Sequence, residues 1–157
     1  MKLSFPLAAA FAAILSLSAC GGGGGSGGTS VNNNPATLTK TDISIGTGTE
    51  AVNGARVQVN YTGWLYSAAA ADFKGSKFDA SQPGKPFTFV IGAVGTNESV
   101  IPGFGQGVTG MKAGGKRTVL IPSSLAYGAG GVPGAIPGNN GLVFEVELVK
   151  VCGSAAC

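Results

Sequence analysis

The side chains that enzymes use most often for acid–base and nucleophilic chemistry are scarce in this sequence. Its 157 residues include no histidine, 3 cysteines, 10 lysines and arginines, and 7 aspartates and glutamates. Without histidine, the chain can form neither a Ser-His-Asp or Cys-His catalytic group nor a histidine metal site. The formal charge of +3, with no basic cluster, also argues against nucleic acid as a partner.

Two glycine-rich patterns resemble phosphate-binding loops, but neither has the required context. Residues 105–110 fit G-x-G-x-x-G, yet no strong strand precedes them and no acidic residue follows about 20 positions later. Residues 110–116 fit G-x-x-x-x-G-K, yet Arg117 replaces the Ser or Thr of a P-loop, and a strand pattern follows instead of a helix. We therefore expect no cofactor and no metal ion.

Cys20 stands at the end of an apolar N-terminal segment. The run from 7 to 17 is too short to cross a bilayer, which takes roughly 20 apolar residues. Residues 17–20 (LSAC) resemble a bacterial lipobox, which implies a signal peptide over 1–19 and a diacylglycerol on the Cys20 thiol. Gly21 resembles the outer-membrane sorting signal. The alternative is an ordinary secretory signal with an unrelated cysteine.

The lipobox predicts a protein of the bacterial cell envelope, anchored in the outer membrane and facing either the periplasm or the exterior. The lipid would be its only contact with the membrane. Residues 20–37 are rich in Gly and Asn and predict a flexible tether, because such a composition has little apolar surface to bury. A folded domain over 38–151 and a tail over 152–157 follow.

The tail carries the other two cysteines, which we predict to lie after the last strand. Export places Cys152 and Cys157 in an oxidising compartment, where a disulfide between them is favoured. The alternative is two free thiols. A zinc or redox role has too few ligands to recommend it.

Alternation of apolar and polar residues predicts a sheet with one buried face. The pattern is clearest over 56–61 and 142–148. Strands are predicted at 39–45, 56–61, 74–79, 87–91, 118–121 and 142–148. Together with one short helix across the sheet, these strands predict an α+β fold with an antiparallel sheet.

The helix is predicted over 102–111, where Phe104, Val108 and Met111 have helical spacing. Its four glycines each cost about 1 kcal/mol relative to alanine, so packing must hold this helix. The turn-rich segment 128–138 is a long loop, and such loops are often functional, although a plain spacer is the alternative.

Several segments, taken in order, resemble the FKBP-type peptidyl-prolyl isomerases. The match extends over roughly residues 40–151, and its motifs occur in the order of the family, which makes the resemblance far more specific than any one motif. These segments are 61–65 (YTGWL), 77–81 (KFDAS), 85–89 (KPFTF), 100–104 (VIPGF), 125–128 (LAYG), 136–137 (IP) and 142–148 (LVFEVEL).

The resemblance implies a five- to six-stranded antiparallel sheet wrapped around a short helix, with an apolar cleft between them. It assigns catalytic roles to Tyr61, Phe78, Asp79, Tyr127 and Phe144. It assigns substrate contacts to Phe87, Val100, Ile101, Phe104 and Ile136, the last from the long loop. Segments 66–77 and 93–99 look longer than in the shortest family members and are expected to flank the cleft.

The chemistry of such a cleft suits a sequence without histidine. Rotation about an Xaa-Pro bond must cross a barrier of about 18–20 kcal/mol, with no bond made or broken. Twisting the bond removes amide resonance and lowers its polarity, so a dry aromatic pocket favours the twisted state over the planar one. Tyr127 and the Ile101 N–H would donate hydrogen bonds to the substrate, and Asp79 would accept them or polarise the site.

The leading hypothesis is a lipid-anchored peptidyl-prolyl cis-trans isomerase that assists the folding of exported proteins. Its partners would be proline-containing polypeptides, and the family resemblance implies macrolide immunosuppressants as inhibitors. The alternative is a lipid-tethered chaperone or peptide-binding module without significant turnover. Comparison of binding with catalysis on one set of peptides separates the two.

Overall fold

Six antiparallel strands form one sheet in the structure, a computed structural model that describes residues 32–157. The predicted lipidation site, Cys20, and the predicted signal peptide lie outside the described residues. The order along the sheet is β1-β5-β6-β2-β3, with β4 paired to β2. The elements are β1 (Thr39–Ser44), β2 (Arg56–Tyr66), β3 (Lys74–Ala80), β4 (Phe87–Val90), α1 (Pro102–Val108), β5 (Lys116–Ile121) and β6 (Leu142–Gly153). The predicted α+β class is confirmed.

Strand β2 organises the sheet because it changes its partner halfway along. One edge pairs with β6, from Arg56 opposite Gly153 to Leu65 opposite Leu142. The other edge pairs first with β4, up to Val59, and then with β3 from Thr62 onward. Tyr61 lies at this change, where its N–H donates to the Ser81 hydroxyl at 3.0 Å. As a result, β4 and β3 lie along the same edge of β2, one on each side of Tyr61.

The inner faces of the strands form the core, as the alternation predicts. Val57 and Val59 of β2 are fully buried, and so are Val146 and Leu148 of β6. Val143 is an exception to the pattern, because it alternates with these residues in β6 and is also fully buried. Burial of apolar surface at about 25 cal/mol per Å² drives the formation of this core.

Helix α1 lies so close to β5 that only glycine fits at two of its positions. A Cβ at Gly107 would approach the Val119 Cγ1 to 2.7 Å, and a Cβ at Gly103 would collide with the Ile121 side chain. Gly103 and Gly107 are four residues apart and therefore share one helix face. Close packing against β5 is thus what holds a helix that is poor in helix-forming residues.

The helix ends earlier than the sequence predicts. Thr109 has extended ψ (131°) and Gly110 has φ +83°, so the chain leaves the helix after Val108. The Gly110 N–H donates to the Ala51 carbonyl at 2.8 Å instead of continuing the helix. Met111 is nevertheless 3% exposed, because the following turn carries it back into the core. The helical spacing of Met111 from Phe104 and Val108 therefore reflects the burial of its side chain and not a position in the helix.

Arg117 of β5 connects three elements at the C-terminal end of α1. Its Nε donates to Asp42 Oδ1 of β1 at 2.6 Å, and its Nη2 donates to Asp42 Oδ2 at 3.2 Å. Its Nη1 donates to the carbonyls of Gly107 (2.9 Å) and Thr109 (3.2 Å). The Arg117 residue is 7% exposed. One guanidinium therefore satisfies carbonyls at the end of α1 and holds β1 beside it.

The two ends of the domain differ from the sequence prediction. Asn33 and Asn34, predicted as tether, bind the domain: the Gly141 N–H donates to the Asn33 carbonyl at 2.8 Å, and the Ser123 N–H donates to Asn34 Oδ1 at 2.7 Å. Pro35 is buried against Gly141. These hydrogen bonds are made by backbone groups and a side-chain amide, so the pattern of apolar residues in the sequence did not reveal them.

Strand β6 extends to Gly153, so Cys152 belongs to the last strand and does not follow it. The strand runs on because Val57 and Arg56 of β2 pair with its last residues. Cys152 and Cys157 form a disulfide that closes the tail onto this strand end. Within residues 32–157, no helix combines the length and the apolar character needed to cross a bilayer.

Candidate active site

A cavity of about 310 Å³ opens where β2 changes partner, between the sheet and the start of α1. Nine of the ten proposed catalytic and substrate-binding residues line it, together with Ser99. The lining is Tyr61, Phe78, Asp79, Phe87, Ser99, Val100, Ile101, Phe104, Tyr127 and Phe144. We call this cavity the aromatic cleft.

Tyr61 is the centre of the aromatic packing because it projects from β2 at the change of partner. Its ring centroid lies 5.7 Å from that of Phe87, 5.6 Å from that of Phe104 and 5.9 Å from that of Phe144. The first two pairs meet edge to face, an arrangement that aromatic rings favour. Residues from β2, β4, α1 and β6 thus meet around one ring.

Phe104 and Phe144 form the deep part of the cleft. Their ring centroids are 4.9 Å apart and nearly perpendicular, and the residues are 4% and 5% exposed. Phe78 of β3 extends this wall towards solvent, 5.6 Å from Phe144. Phe89 supports Phe104 from the core at 5.4 Å without lining the cleft. The deep wall is therefore apolar and largely closed to bulk water.

Two tyrosine hydroxyls and one carboxylate supply the polar groups of the cleft. The Tyr61 hydroxyl donates to Asp79 Oδ2 at 2.7 Å, and the Ala80 N–H donates to Asp79 Oδ1 at 2.8 Å. Burial, and then the hydrogen bond and charge of Asp79, raise the pKa of Tyr61 well above its ordinary value. Burial and the charge of Asp79 also raise the pKa of Tyr127. Both hydroxyls therefore stay protonated at neutral pH.

The free donors of the cleft are at its rim. The Tyr127 residue is 41% exposed and lines the cavity. Ile101 precedes α1, and its N–H donates to no acceptor among residues 32–157. In the same part of the chain, no three Cys, Asp or Glu side chains lie close enough together to hold a metal ion. The arrangement offers an apolar enclosure and neutral donors, without a nucleophile beside a base.

Comparisons with known proteins agree with this geometry. The family model described as FKBP-type peptidyl-prolyl cis-trans isomerase matches residues 47–149. The chain belongs to that family. An FK506-binding protein of Neisseria meningitidis serogroup B is 47% identical over 111 residues, which are 70% of this chain and 92% of the relative.

Two solved structures show the same fold. A peptidyl-prolyl cis-trans isomerase of Pseudomonas syringae pv. tomato is 34% identical, with a TM-score of 0.60 over 76% of this chain and 78% of its own. FkpA of Escherichia coli is 37% identical, with a TM-score of 0.62 over 75% of this chain and 49% of its own. The expected FKBP-like sheet and helix, and the assignment of the enzyme class, are confirmed.

Ile136 is the one proposed substrate contact of this FKBP-type isomerase that does not line the aromatic cleft. It is 5% exposed and belongs to the core, beside a separate hollow of the 130–138 loop that Leu65 also lines. The Val132 N–H donates to the Ile136 carbonyl at 2.8 Å. Because this pairing closes the loop on itself, the side chain packs under the loop instead of facing the cleft.

The two longer segments also behave differently from each other. Segment 93–99 reaches the cleft through Ser99, as expected. Segment 66–77 contributes no residue to the lining, although Phe78, which directly follows it, does. It contains the last residue of β2, a turn and the first half of β3, and Phe73 of the turn stacks on Tyr66 of β2 with ring centroids 5.3 Å apart.

Gly63 positions the wall of the cleft, a role that neither the residue pattern nor the family resemblance assigned to it. A Cβ at this position would lie 2.7 Å from Phe144 Cε1 and 2.9 Å from Phe78 Cζ. Both distances are well below ordinary contact, so the two rings rest directly on the β2 backbone. A glycine inside a predicted strand is a known sign of such a close approach, and this signal was available in the sequence.

We expect Gly63→Ala to lower kcat/KM on proline peptides by about tenfold. The added methyl group must push Phe144, Phe78 or both away from the strand, which opens the wall of the cleft. Isomerase assays under conditions where circular dichroism shows a folded protein will measure the effect. Thr62→Ala, at the adjacent position on the opposite face of β2, is the matched control. Unchanged activity in Gly63→Ala would show that the rings adjust without cost.

Tyr61→Phe should keep the ring packing and remove only the hydrogen bond to Asp79. We expect a loss of kcat/KM of less than about fivefold. Because folding raises the pKa of Tyr61, its contribution to stability is complete below the unfolded value near pH 10 and is lost as pH rises above it. Urea unfolding at pH 9 and pH 11 should therefore show a smaller alkaline loss in Tyr61→Phe. Tyr66→Phe, on the same strand outside the cleft, should lose stability as the wild type does.

Proposed function

We propose that this FKBP-type isomerase accelerates Xaa-Pro rotation in exported proteins by enclosing the bond in the aromatic cleft. The observation that carries the proposal is the convergence of Tyr61, Phe104 and Phe144, with centroids 4.9–5.9 Å apart, around a cavity of about 310 Å³. A planar amide is more polar than a twisted one, since rotation removes its resonance. A wall of rings that excludes water therefore destabilises the planar state more, and only such differential binding raises the rate.

The polar groups at the rim would orient the substrate. The Ile101 N–H and the Tyr127 hydroxyl belong to residues that line the cleft, and both can donate hydrogen bonds to substrate carbonyls. The Tyr61 hydroxyl is already bound to Asp79. We assign Asp79 the role of holding the Tyr61 ring in place, because its second oxygen is bound to the Ala80 N–H. None of these groups has to transfer a proton, in keeping with a reaction that breaks no bond.

The test is exchange spectroscopy by NMR on Xaa-Pro peptides, with the full chain produced in a bacterial host and purified in detergent. We expect exchange much faster than the uncatalysed reaction, which takes tens to hundreds of seconds per event. Binding of the same peptides without faster exchange would favour a chaperone or peptide-binding module instead. Neither binding nor exchange would refute both functions.

We also propose that the cleft binds FK506-type macrolides. The relatives from Neisseria meningitidis carry the name FK506-binding protein, and six aromatic rings of this chain line the cleft. An apolar pocket with a few rim donors is the usual form of a small-molecule site. FK506 should inhibit isomerisation competitively with peptide. Inhibition without competition would place the ligand elsewhere.

Lipid anchoring through Cys20 and location in the outer membrane complete the proposal. They rest on the lipobox at 17–20 and on Gly21, with the folded domain held by the tether. Radiolabelled palmitate should enter the wild-type protein and not Cys20→Ser, and the label should fractionate with outer membranes. Equal labelling of both proteins would refute the anchor and leave the isomerase proposal untouched.

A further inference from the structure

A second hollow of about 300 Å³ lies beside the aromatic cleft, on the other side of the segment that leads into α1. Ser99, Val100 and Ile101 line both cavities. The hollow continues over residues 91–95 and the exposed side of the first helical turn. We call it the flanking hollow. It is contiguous with the cleft, because the same three residues form the wall between them.

The flanking hollow is suited to an apolar group. Ile91, Ala93, Val94 and Val100 contribute aliphatic side chains, and none of the described residues that line it is charged. Val94 is 89% exposed at its rim, which leaves an aliphatic side chain in water with nothing packed on it. Exposed aliphatic surface at the edge of a concave site commonly marks a binding surface.

The loop that forms this hollow is held in place before any ligand arrives. Arg56 Nη2 donates to Glu98 Oε2 at 2.7 Å, and the Val90 N–H donates to the Glu98 carbonyl at 3.2 Å. The Ser99 hydroxyl donates to the Thr96 carbonyl at 2.6 Å. Binding to a preformed hollow loses less ordering entropy than binding to a mobile one.

We propose that the flanking hollow binds an apolar side chain of the same polypeptide whose proline occupies the aromatic cleft. This inference rests on the proposed function of the cleft. An extended substrate that follows this three-residue wall from the cleft to the hollow advances about 7 Å, at about 3.3 Å per residue. The bound side chain therefore belongs to a residue two or three positions from the proline. The hollow would give the enzyme a sequence preference away from the bond that rotates.

Gly105 offers a way to fill the hollow without disturbing the fold. A Cβ there would lie 3.7 Å from Val100 Cγ2 and 3.8 Å from the Gly92 nitrogen, which are ordinary contacts. Gly105 is inside α1, where alanine and leucine are better helix formers than glycine. Gly105→Ala should thus raise the urea midpoint while it takes space from the ligand. Gly105→Leu should fill the hollow further.

The experiment compares peptides with leucine or serine at each position from three before to three after the proline. For each pair, kcat/KM is measured by NMR exchange, and the dissociation constant is measured by fluorescence anisotropy. In the wild type we expect leucine to be preferred about tenfold at one position two or three residues from the proline. The preference should fall to about threefold in Gly105→Ala and in Val94→Ser, and to about one in Gly105→Leu. Val149→Ser, which changes an exposed valine of β6 outside both cavities, should keep the full preference.

The outcomes separate this inference from the proposed function. Exchange on serine peptides reports the cleft, whereas the ratio of leucine to serine reports the flanking hollow. Turnover without any leucine preference, or a preference that survives Gly105→Leu, overturns the inference and leaves the isomerase intact. If no peptide is turned over, the dissociation constants decide: a leucine preference that is lost in Gly105→Leu supports the hollow without catalysis, and equal constants refute it.

Discussion

Phe144→Ala is expected to lower kcat/KM on proline peptides by about 30-fold or more, which corresponds to about 2 kcal/mol of transition-state stabilisation. Phe144 contacts three of the other rings in the cleft, Tyr61, Phe78 and Phe104. Its removal would leave a space next to the rotating bond that water can enter. Water solvates the planar amide better than the twisted one, so the advantage of the cleft would be lost. NMR exchange on one peptide at several enzyme concentrations measures the change.

Loss of stability must be separated from loss of chemistry, because truncation of a buried phenylalanine costs about 3–5 kcal/mol of folding free energy. Leu148→Ala is the matched control: Leu148 lies four residues further along β6, on the same face, and is fully buried outside the cleft. It should lose a similar amount of stability and retain its activity wherever it is folded. Equal activity losses in the two folded variants would assign the effect to general loosening and not to the cleft.

Arg117→Met is expected to lower the free energy of unfolding by about 3 kcal/mol. The substitution removes the donor of the Gly107 and Thr109 carbonyls and separates Asp42 from its partner. Since Asp42 is 43% exposed in its side chain and can be solvated, most of the loss comes from the carbonyls at the end of α1. Urea unfolding followed by tryptophan fluorescence measures the change. Lys116→Met, the neighbouring residue with its side chain in solvent, should change stability by less than about 0.5 kcal/mol.

The same contact predicts a pH dependence. The hydrogen bonds from Arg117 hold the pKa of Asp42 below the ordinary value of 3.8. Partial burial of the Asp42 carboxylate opposes this effect, and the positive charge of Arg117 adds to it. The folded pKa is lower than the unfolded one, so the contribution is complete above about pH 4 and is lost as pH falls below it. Arg117→Met should therefore lose less stability between pH 5 and pH 3 than the wild type. An identical acid loss in both proteins would contradict this assignment.

Residue patterns were sufficient for the elements of the sheet and for the family. The alternation at 56–61 and 142–148 marks β2 and β6, because a strand that buries one face must alternate. The ordered motifs, and not periodicity, pointed to the cleft residues. Periodicity alone was misleading at Met111, which is buried beyond the end of α1. Apolar spacing reports which residues are buried, but the backbone conformation of Thr109 and Gly110 decides where the helix stops.

The features that follow from residue types alone are local: the strand faces, the short glycine-rich helix and the absence of histidine, which leaves no group for histidine-dependent catalysis. The folded structure was needed to show that Ile136 packs under its loop, that Asn33 and Asn34 bind the domain and that Gly63 supports two rings. It also placed Arg117 on the carbonyls of α1. The physical reason is that these features depend on contacts between residues far apart in the chain. Strand register and helix placement set those distances, and no local pattern of residue types records them.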